Sequence, residues 1–255
     1  MIFGDTALAQ QACCAVIALC SIKGHAGIIT SLKLHTDFPA QTGYNFEMLI
    51  PIHQEMTREA LEGRVSPRAL EVIIAANCKQ DALSGQIGHD EFHYDNNAID
   101  EGHRYVIEQR GFVIASLLSP GVLSAWIAFG RLTHTVQDFY SHTNYVTMWL
   151  DSHPSGTPPT PPEIDPVQKD LIESPSLHSG KLYMPMDWLY FVPFLRKLSL
   201  SLLPADSHAK MNLDSPVQGA KFAYARAAAV KRTIYEFDLL EKLLTPEMFS
   251  KFVDM

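Results

Sequence analysis

Apolar positions in this chain recur mostly at helical spacing and seldom at the two-residue spacing of a strand. The pattern predicts helices over 46–62, 67–81, 98–118 and 122–145, and a last long one from 214 to about 244. Ser66-Pro67 marks the second start, since proline fits the first helical turn. Ser119-Pro120-Gly121 separates the third helix from the fourth. Residues 85–97 are polar and turn-rich. Residues 152–166 hold six prolines, which excludes a regular helix and predicts a surface loop or lid. The stretch 184–203 is rich in aromatics and leucine, a pattern usual for core and, if exposed, for a lipid-facing patch. No repeat is visible. The class is mainly α, a single-domain multi-helix bundle over 41–255 with a Pro-rich loop insertion.

The first 40 residues form an apolar segment. Its run from Ala12 to Cys20 is too short to span a bilayer. It reads either as the apolar core of a secretory signal, with small residues near Gly24-His25-Ala26, or as a buried first helix. A signal implies a secreted or periplasmic protein, a first helix a cytoplasmic one. The cysteines Cys13, Cys14, Cys20 and Cys78 form no CxxC pair, which argues against a cysteine zinc site. A formal charge of −8 argues against duplex nucleic acid as partner.

Chemistry concentrates in the fourth helix. His134, Asp138 and His142 recur every four residues, and such positions drift by only about 40° per step around a helix. Two imidazoles flanking a carboxylate on one stripe suit zinc. Upstream, 88–97 crowds acids and imidazoles. Asp90 and His103 are the preferred pair there; His89, His93 and Asp95 either ligate or orient ligands. His53 lies early on the first amphipathic helix. Downstream, His208 is followed by Asn212 and Asp214. Several helices each contributing an inward ligand is how bundles build multinuclear centres. About eight ligands would hold two or three Zn2+ ions.

The segments Leu132-Thr133-His134-Thr135-Val136-Gln137-Asp138-Phe139-Tyr140-Ser141-His142-Thr143-Asn144-Tyr145 and His208-Ala209-Lys210-Met211-Asn212-Leu213-Asp214-Ser215 resemble the zinc-dependent phospholipase C and single-strand nuclease superfamily. The closest likeness is to its Het-C (heterokaryon-incompatibility) branch, over roughly residues 45–240. The resemblance implies that Asp90, His103 and His134 hold one zinc, and that Asp138 bridges it to a second, bound also by His53. It implies a third on His142 and His208, completed by Asn212 or Asp214. Three departures stand out. No tryptophan precedes Trp126, whereas the enzymes chelate one zinc through a mature N-terminal tryptophan. The histidine after Asp138 comes four residues on, not six. Asn212 stands where the enzymes have a carboxylate.

The implied activity is phosphodiester hydrolysis of phospholipase C type, with Asp90 as catalytic proton acceptor and a phospholipid or other phosphodiester as substrate. The 184–203 stretch would make peripheral membrane contact, and the Pro-rich loop would close as a lid. Two alternatives stand beside it. One is a single-strand nuclease stacking bases on Tyr94, Tyr105, Phe139 and Tyr140. The other is a non-catalytic recognition domain stapled by its metals.

Overall fold

The computed structural model describes residues 49–153, 159–190, 192 and 194–255, which belong to one compact unit. The two readings of the first 40 residues, and the start of the helix predicted from 46, lie outside the described residues. Thirteen α-helices and no extended sheet occur among the described residues. Five are long enough to build the core: α1 (Leu49–Leu61), α2 (Pro67–Cys78), α5 (Ile99–Leu117), α6 (Leu123–His142) and α12 (Lys221–Leu243). Between them run shorter pieces: α3 (Leu83–Gln86), α4 (Asp90–His93), α7 (Tyr145–Asp151), α8 (Lys169–Ile172), α9 (Met186–Tyr190), α10 (Arg196–Leu202) and α11 (His208–Met211). The closing helix is α13 (Pro246–Val253). None of the described helices is long and apolar enough to cross a membrane.

The caps follow the sequence. Ser66 accepts a hydrogen bond from the Ala69 amide at the head of α2, and Thr245 does the same for Met248 at the head of α13. In α1, His53, Met56, Thr57, Ala60 and Leu61 form one buried stripe at helical spacing.

The central helix is α6, which packs against α2, α5 and α12. Every residue from Leu132 to Thr143 is buried, so the second half of the helix is enclosed on all sides. Trp126, Phe129, Leu132 and Tyr140 are fully inside, each contributing about 2–3 kcal/mol of burial. Gly130 lets α2 approach closely: a Cβ there would lie 2.4 Å from the Ile73 carbonyl oxygen. Trp126 also donates its indole N–H to the Phe252 carbonyl at 2.7 Å, docking α13.

The structure moves two helix boundaries and shows how the Pro-rich surface loop is held. The fourth helix ends at His142, because Thr143 is extended and bridges to Ser179. The last helix begins at Lys221, after a 3-10 turn over Pro216–Gln218 and Gly219 at φ +94°. The described part of the Pro-rich loop, 159–166, is fastened down: Tyr145 donates to the Asp165 carbonyl at 2.6 Å, Tyr224 to Pro159 at 2.7 Å, and Lys231 to Ile164 at 2.8 Å.

The 184–203 stretch divides. Tyr190 and Leu203 pack with Ala209 in a small separate cluster. Met184, Phe194, Leu198 and Leu202 are exposed.

Candidate metal centre

The stripe on α6 supplies three potential ligands, His134, Asp138 and His142, to the interior. His53 comes from α1, Asp81 from a 3-10 turn that continues α2, and His93 from the end of α4. Tyr94, Asn96 and Asn97 then take positive φ, which folds the chain back sharply and brings Asp95 into the interior. α11 opens with His208, and Asp214 follows it.

These side chains meet in two adjoining clusters. In the first, Asp138 turns its two oxygens in different directions. Oδ1 lies 3.2 Å from His53 Nε2. Oδ2 lies 2.9 Å from His93 Nδ1 and 3.0 Å from His134 Nε2. Asp81 faces both sides, with Oδ2 3.8 Å from His53 Nε2 and Oδ1 3.7 Å from His134 Nε2. In the second cluster, Asp95 Oδ1 lies 2.9 Å from His208 Nδ1 and 3.3 Å from His142 Nδ1, and Asp214 Oδ1 lies 3.0 Å from His142 Nε2.

Three residue groups thus have the chemistry and spacing to hold a metal ion: His53, Asp81 and His134; His93, His134 and Asp138; and Asp95, His142 and His208. Two donors bonded to one zinc at about 2.0–2.1 Å in a tetrahedron lie roughly 3.3 Å apart. The observed separations straddle that value. The clearest sign is Asp81 Oδ2, which is buried without a hydrogen bond. Its 3.8 Å gap to His53 is too long for one, and an unpaired buried carboxylate oxygen is costly unless a cation satisfies it.

The rings are held from behind, as ligating histidines usually are. His93 Nε2 donates to the Gly85 carbonyl at 3.3 Å, and His142 Nδ1 donates to the His93 carbonyl at 2.8 Å. Gly85 is required there, since a Cβ would lie 2.1 Å from the Gln80 carbonyl oxygen. His134 departs from the pattern, for its buried Nδ1 has no acceptor.

The electrostatics are those of mutual neutralisation. Burial opposes charge on His53, but the Asp138 carboxylate and Asp81 outweigh it and push the imidazole up to about 9. His93 is raised against burial by its hydrogen bond to Asp138 and that residue's charge. His142 is raised well above its ordinary value, against burial, by Asp214, Asp138 and Asp95. His134 goes the other way, lowered by burial with help from the charge on His53. Despite burial, Asp138 is held well below the usual carboxylate range by His134, His142 and His53, and Asp95 is lowered by His208 and His142.

Both clusters open onto one cavity of about 880 Å³. His53, Asp81, His93, Asp138, His142 and His208 line its polar side, and Leu83, Ile87, Leu182, Met184, Leu189 and Val192 its apolar side. Among the described residues, no lysine or arginine lines it.

A model of the VWA7 N-terminal domain family matches residues 52–153. No curated protein matches the chain, and no solved structure matches it. The matched span carries His53, Asp81, His93, Asp95 and the α6 stripe, and stops short of His208 and Asp214.

Of the residues singled out in the sequence, His53, His134, Asp138, His142, His208 and Asp214 come together here, with His93 and Asp95, the alternatives named beside Asp90 and His103. Three take other positions. Asp90 lines the cavity outside the three groups, and Asp81 occupies the carboxylate position it was expected to fill. His103 packs against Phe139, with Nδ1 2.8 Å from the Tyr94 hydroxyl, because it flanks the face that α5 turns to α6. Asn212 is buried but accepts from Gln218. Asp81 gave no sequence signal of its own at the end of an apolar helix. The signal available was its spacing to His93 across a turn-rich segment.

Proposed function

We propose that this chain is a zinc-dependent phosphodiester hydrolase of phospholipase C type, built as a multi-helix zinc bundle and acting on a phospholipid or a similar amphiphilic phosphodiester. One observation carries the reading: the Asp138 carboxylate presents separate oxygens to His53 on one side and to His93 and His134 on the other, the arrangement of a carboxylate shared by two cations. Imidazole and carboxylate donors suit zinc. Asp81, His53, His93, His134 and Asp138 would hold a pair of ions, and Asp95, His142, His208 and Asp214 a further one. Bound zinc supplies charge to polarise phosphoryl oxygens and to make a water molecule more acidic.

The remaining work falls to the protein. Asp90, on the cavity wall and outside the ligand groups, accepts the proton of the attacking water. The apolar wall takes the acyl part of the substrate. Leu83, Ile87 and Met184 are exposed as well as lining the cavity, and Phe194, Leu198 and Leu202 are exposed nearby in sequence, on and before α10. This surface supports peripheral contact with a membrane.

A nuclease is less well supported. Tyr94, Tyr105, Phe139 and Tyr140 are buried and none lines the cavity, so they offer no stacking platform there. A metal-stapled recognition domain draws support from the ligands themselves, which tie α1, α4, α6 and α11 together.

The test is elemental analysis of the purified protein, then turnover of phosphatidylcholine vesicles, a chromogenic phosphodiester and single-stranded DNA, with and without chelator. Chelator-sensitive hydrolysis of the lipid is expected. Zinc-loaded protein that hydrolyses none of the three, and unfolds on chelation, would replace the enzyme reading with the stapled domain.

A further inference from the structure

Behind the ligand groups lies a fully buried polar network. Gln137 precedes Asp138 on α6 and is fully buried, as are Thr57, Asn77, Thr133 and Thr233 around it. Its side-chain oxygen is 2.7 Å from His53 Nδ1 and 3.1 Å from Asn77 Nδ2. Its nitrogen is 3.1 Å from Thr57 Oγ1 and 3.2 Å from Thr233 Oγ1.

The orientation of this amide follows from hydrogen counting. A threonine hydroxyl has one hydrogen to give. Thr233 gives its hydrogen to the Ala229 carbonyl at 2.9 Å, and Thr133 gives its own to Gly130 at 2.8 Å. Thr233 therefore only accepts from Gln137, so the atom facing it is the amide nitrogen. Thr133 likewise only accepts, here from Asn77 Nδ2 at 3.1 Å. The Gln137 oxygen is then the atom turned to His53, and it cannot donate. Nδ1 of His53 must carry a proton, which leaves Nε2 as the nitrogen with a lone pair to offer. Nε2 is the atom that faces Asp138 and Asp81.

We propose that Gln137 is the positioning residue of this centre: with Thr57, Asn77 and Thr233 it fixes the ring orientation and proton placement of His53, so that Nε2 is presented to a cation shared with Asp81 and Asp138. The inference rests on the metal-centre reading above. It explains why a glutamine, fully buried, sits beside the shared aspartate: it accepts from the ring without adding a second negative charge. An outer partner of this kind is worth roughly 10–100-fold in metal affinity.

The test uses wild-type protein with 15N-labelled histidine rings, and zinc alone as probe. In the zinc-loaded protein, His53 Nδ1 is expected to show a directly bonded, slowly exchanging proton and Nε2 none. Q137M, close in shape but unable to accept, is expected to weaken one class of zinc site roughly 10–100-fold and to leave the class containing His142 and His208 unchanged. The spectrum of the wild type decides the matter even where Q137M does not fold. A proton on Nε2 instead of Nδ1, or a folded Q137M with unaltered zinc affinity, would overturn the proposal. Absence of zinc binding by the wild type would defeat the metal reading instead.

Discussion

Replacing Asp138 by asparagine removes the one charge that faces three imidazoles, and the consequence can be worked out for the metal-free protein. His53 rises from 6.5 to about 9 in the fold, despite burial, and Asp138 is the strongest influence raising it. A shift of about 2.5 units, at about 1.4 kcal/mol per unit, is about 3 kcal/mol of stability. Because the folded value is the higher one, this contribution is complete below pH 6.5 and disappears as the pH climbs through 9. His93 is shifted the same way through the same carboxylate and adds to the slope. The asparagine side chain carries no charge, so in D138N burial dominates and His53 becomes neutral in the fold. Chelator-treated wild type should therefore lose about 3 kcal/mol or more between about pH 6 and 9, and D138N should show a much shallower slope over that range, keeping the part due to His142, which Asp214 and Asp95 still raise. Urea denaturation followed by fluorescence of the buried Trp126 and Trp149 measures both. Lost hydrogen bonds offset the variant by a constant, so the slope is the diagnostic quantity. Equal slopes in the two proteins would refute the coupling.

Other expectations follow from the same geometry. H93A should hold fewer zinc ions by elemental analysis, whereas H103F should hold as many as wild type, since His103 faces Tyr94 and Phe139; loss of metal in H103F would return it to the ligand set. Zinc entering the metal-free protein at about pH 7 should release protons, because His53, His93 and His142 are all shifted upward. The binding enthalpy should then differ between Tris and phosphate buffers, and identical enthalpies would contradict it. Away from the site, Glu236 is fully buried between Arg110 at 2.6 Å and Arg232 at 2.9 Å. E236Q leaves two guanidinium groups short of their counter-charge and should cost about 3–5 kcal/mol, or roughly 10 °C in Tm; a Tm within about 2 °C of wild type would rule that out.

The sequence carried the stripe on α6 clearly, because helical periodicity is a local property and three ligands four apart share a face whatever else the chain does. His53 and His208 were weak signals singly, since one imidazole on a helix has no signature, and gained weight only when counted with the other candidate ligands. The segment 79–97 was legible only as a region. Its direction is set by left-handed residues at Tyr94, Asn96 and Asn97 and by Gly85 pressed against the Gln80 carbonyl, and no hydropathy pattern encodes such turns. That is why the sequence put Asp90 and His103 ahead of His93 and Asp95, and passed over Asp81, while the fold brings in Asp81, His93 and Asp95. The helix ends failed for a related reason: Thr143 and Asp214 are helix-compatible in isolation, and each is held out of helix by a partner far away in the chain, Ser179 and His142.

Four aspartates and five histidines gathered in one interior need a source of positive charge, and the directions of their titration show what serves when no ion is present. His53, His93 and His142 are shifted toward holding protons, which offset the carboxylates, while His134 is shifted the other way by burial and, to a lesser degree, by the charge on His53. Each dication entering a group would displace imidazole protons but bring two charges, so the cavity becomes more positive as it loads. Among the described residues no lysine or arginine lines that cavity, and six aspartates do. A phosphodiester anion would meet repulsion in the metal-free protein and attraction only in the loaded one. If the proposed function holds, metal binding and phosphate binding would be one electrostatic event, and affinity for a phosphodiester, not turnover alone, would depend on the ions that Asp138 would hold together.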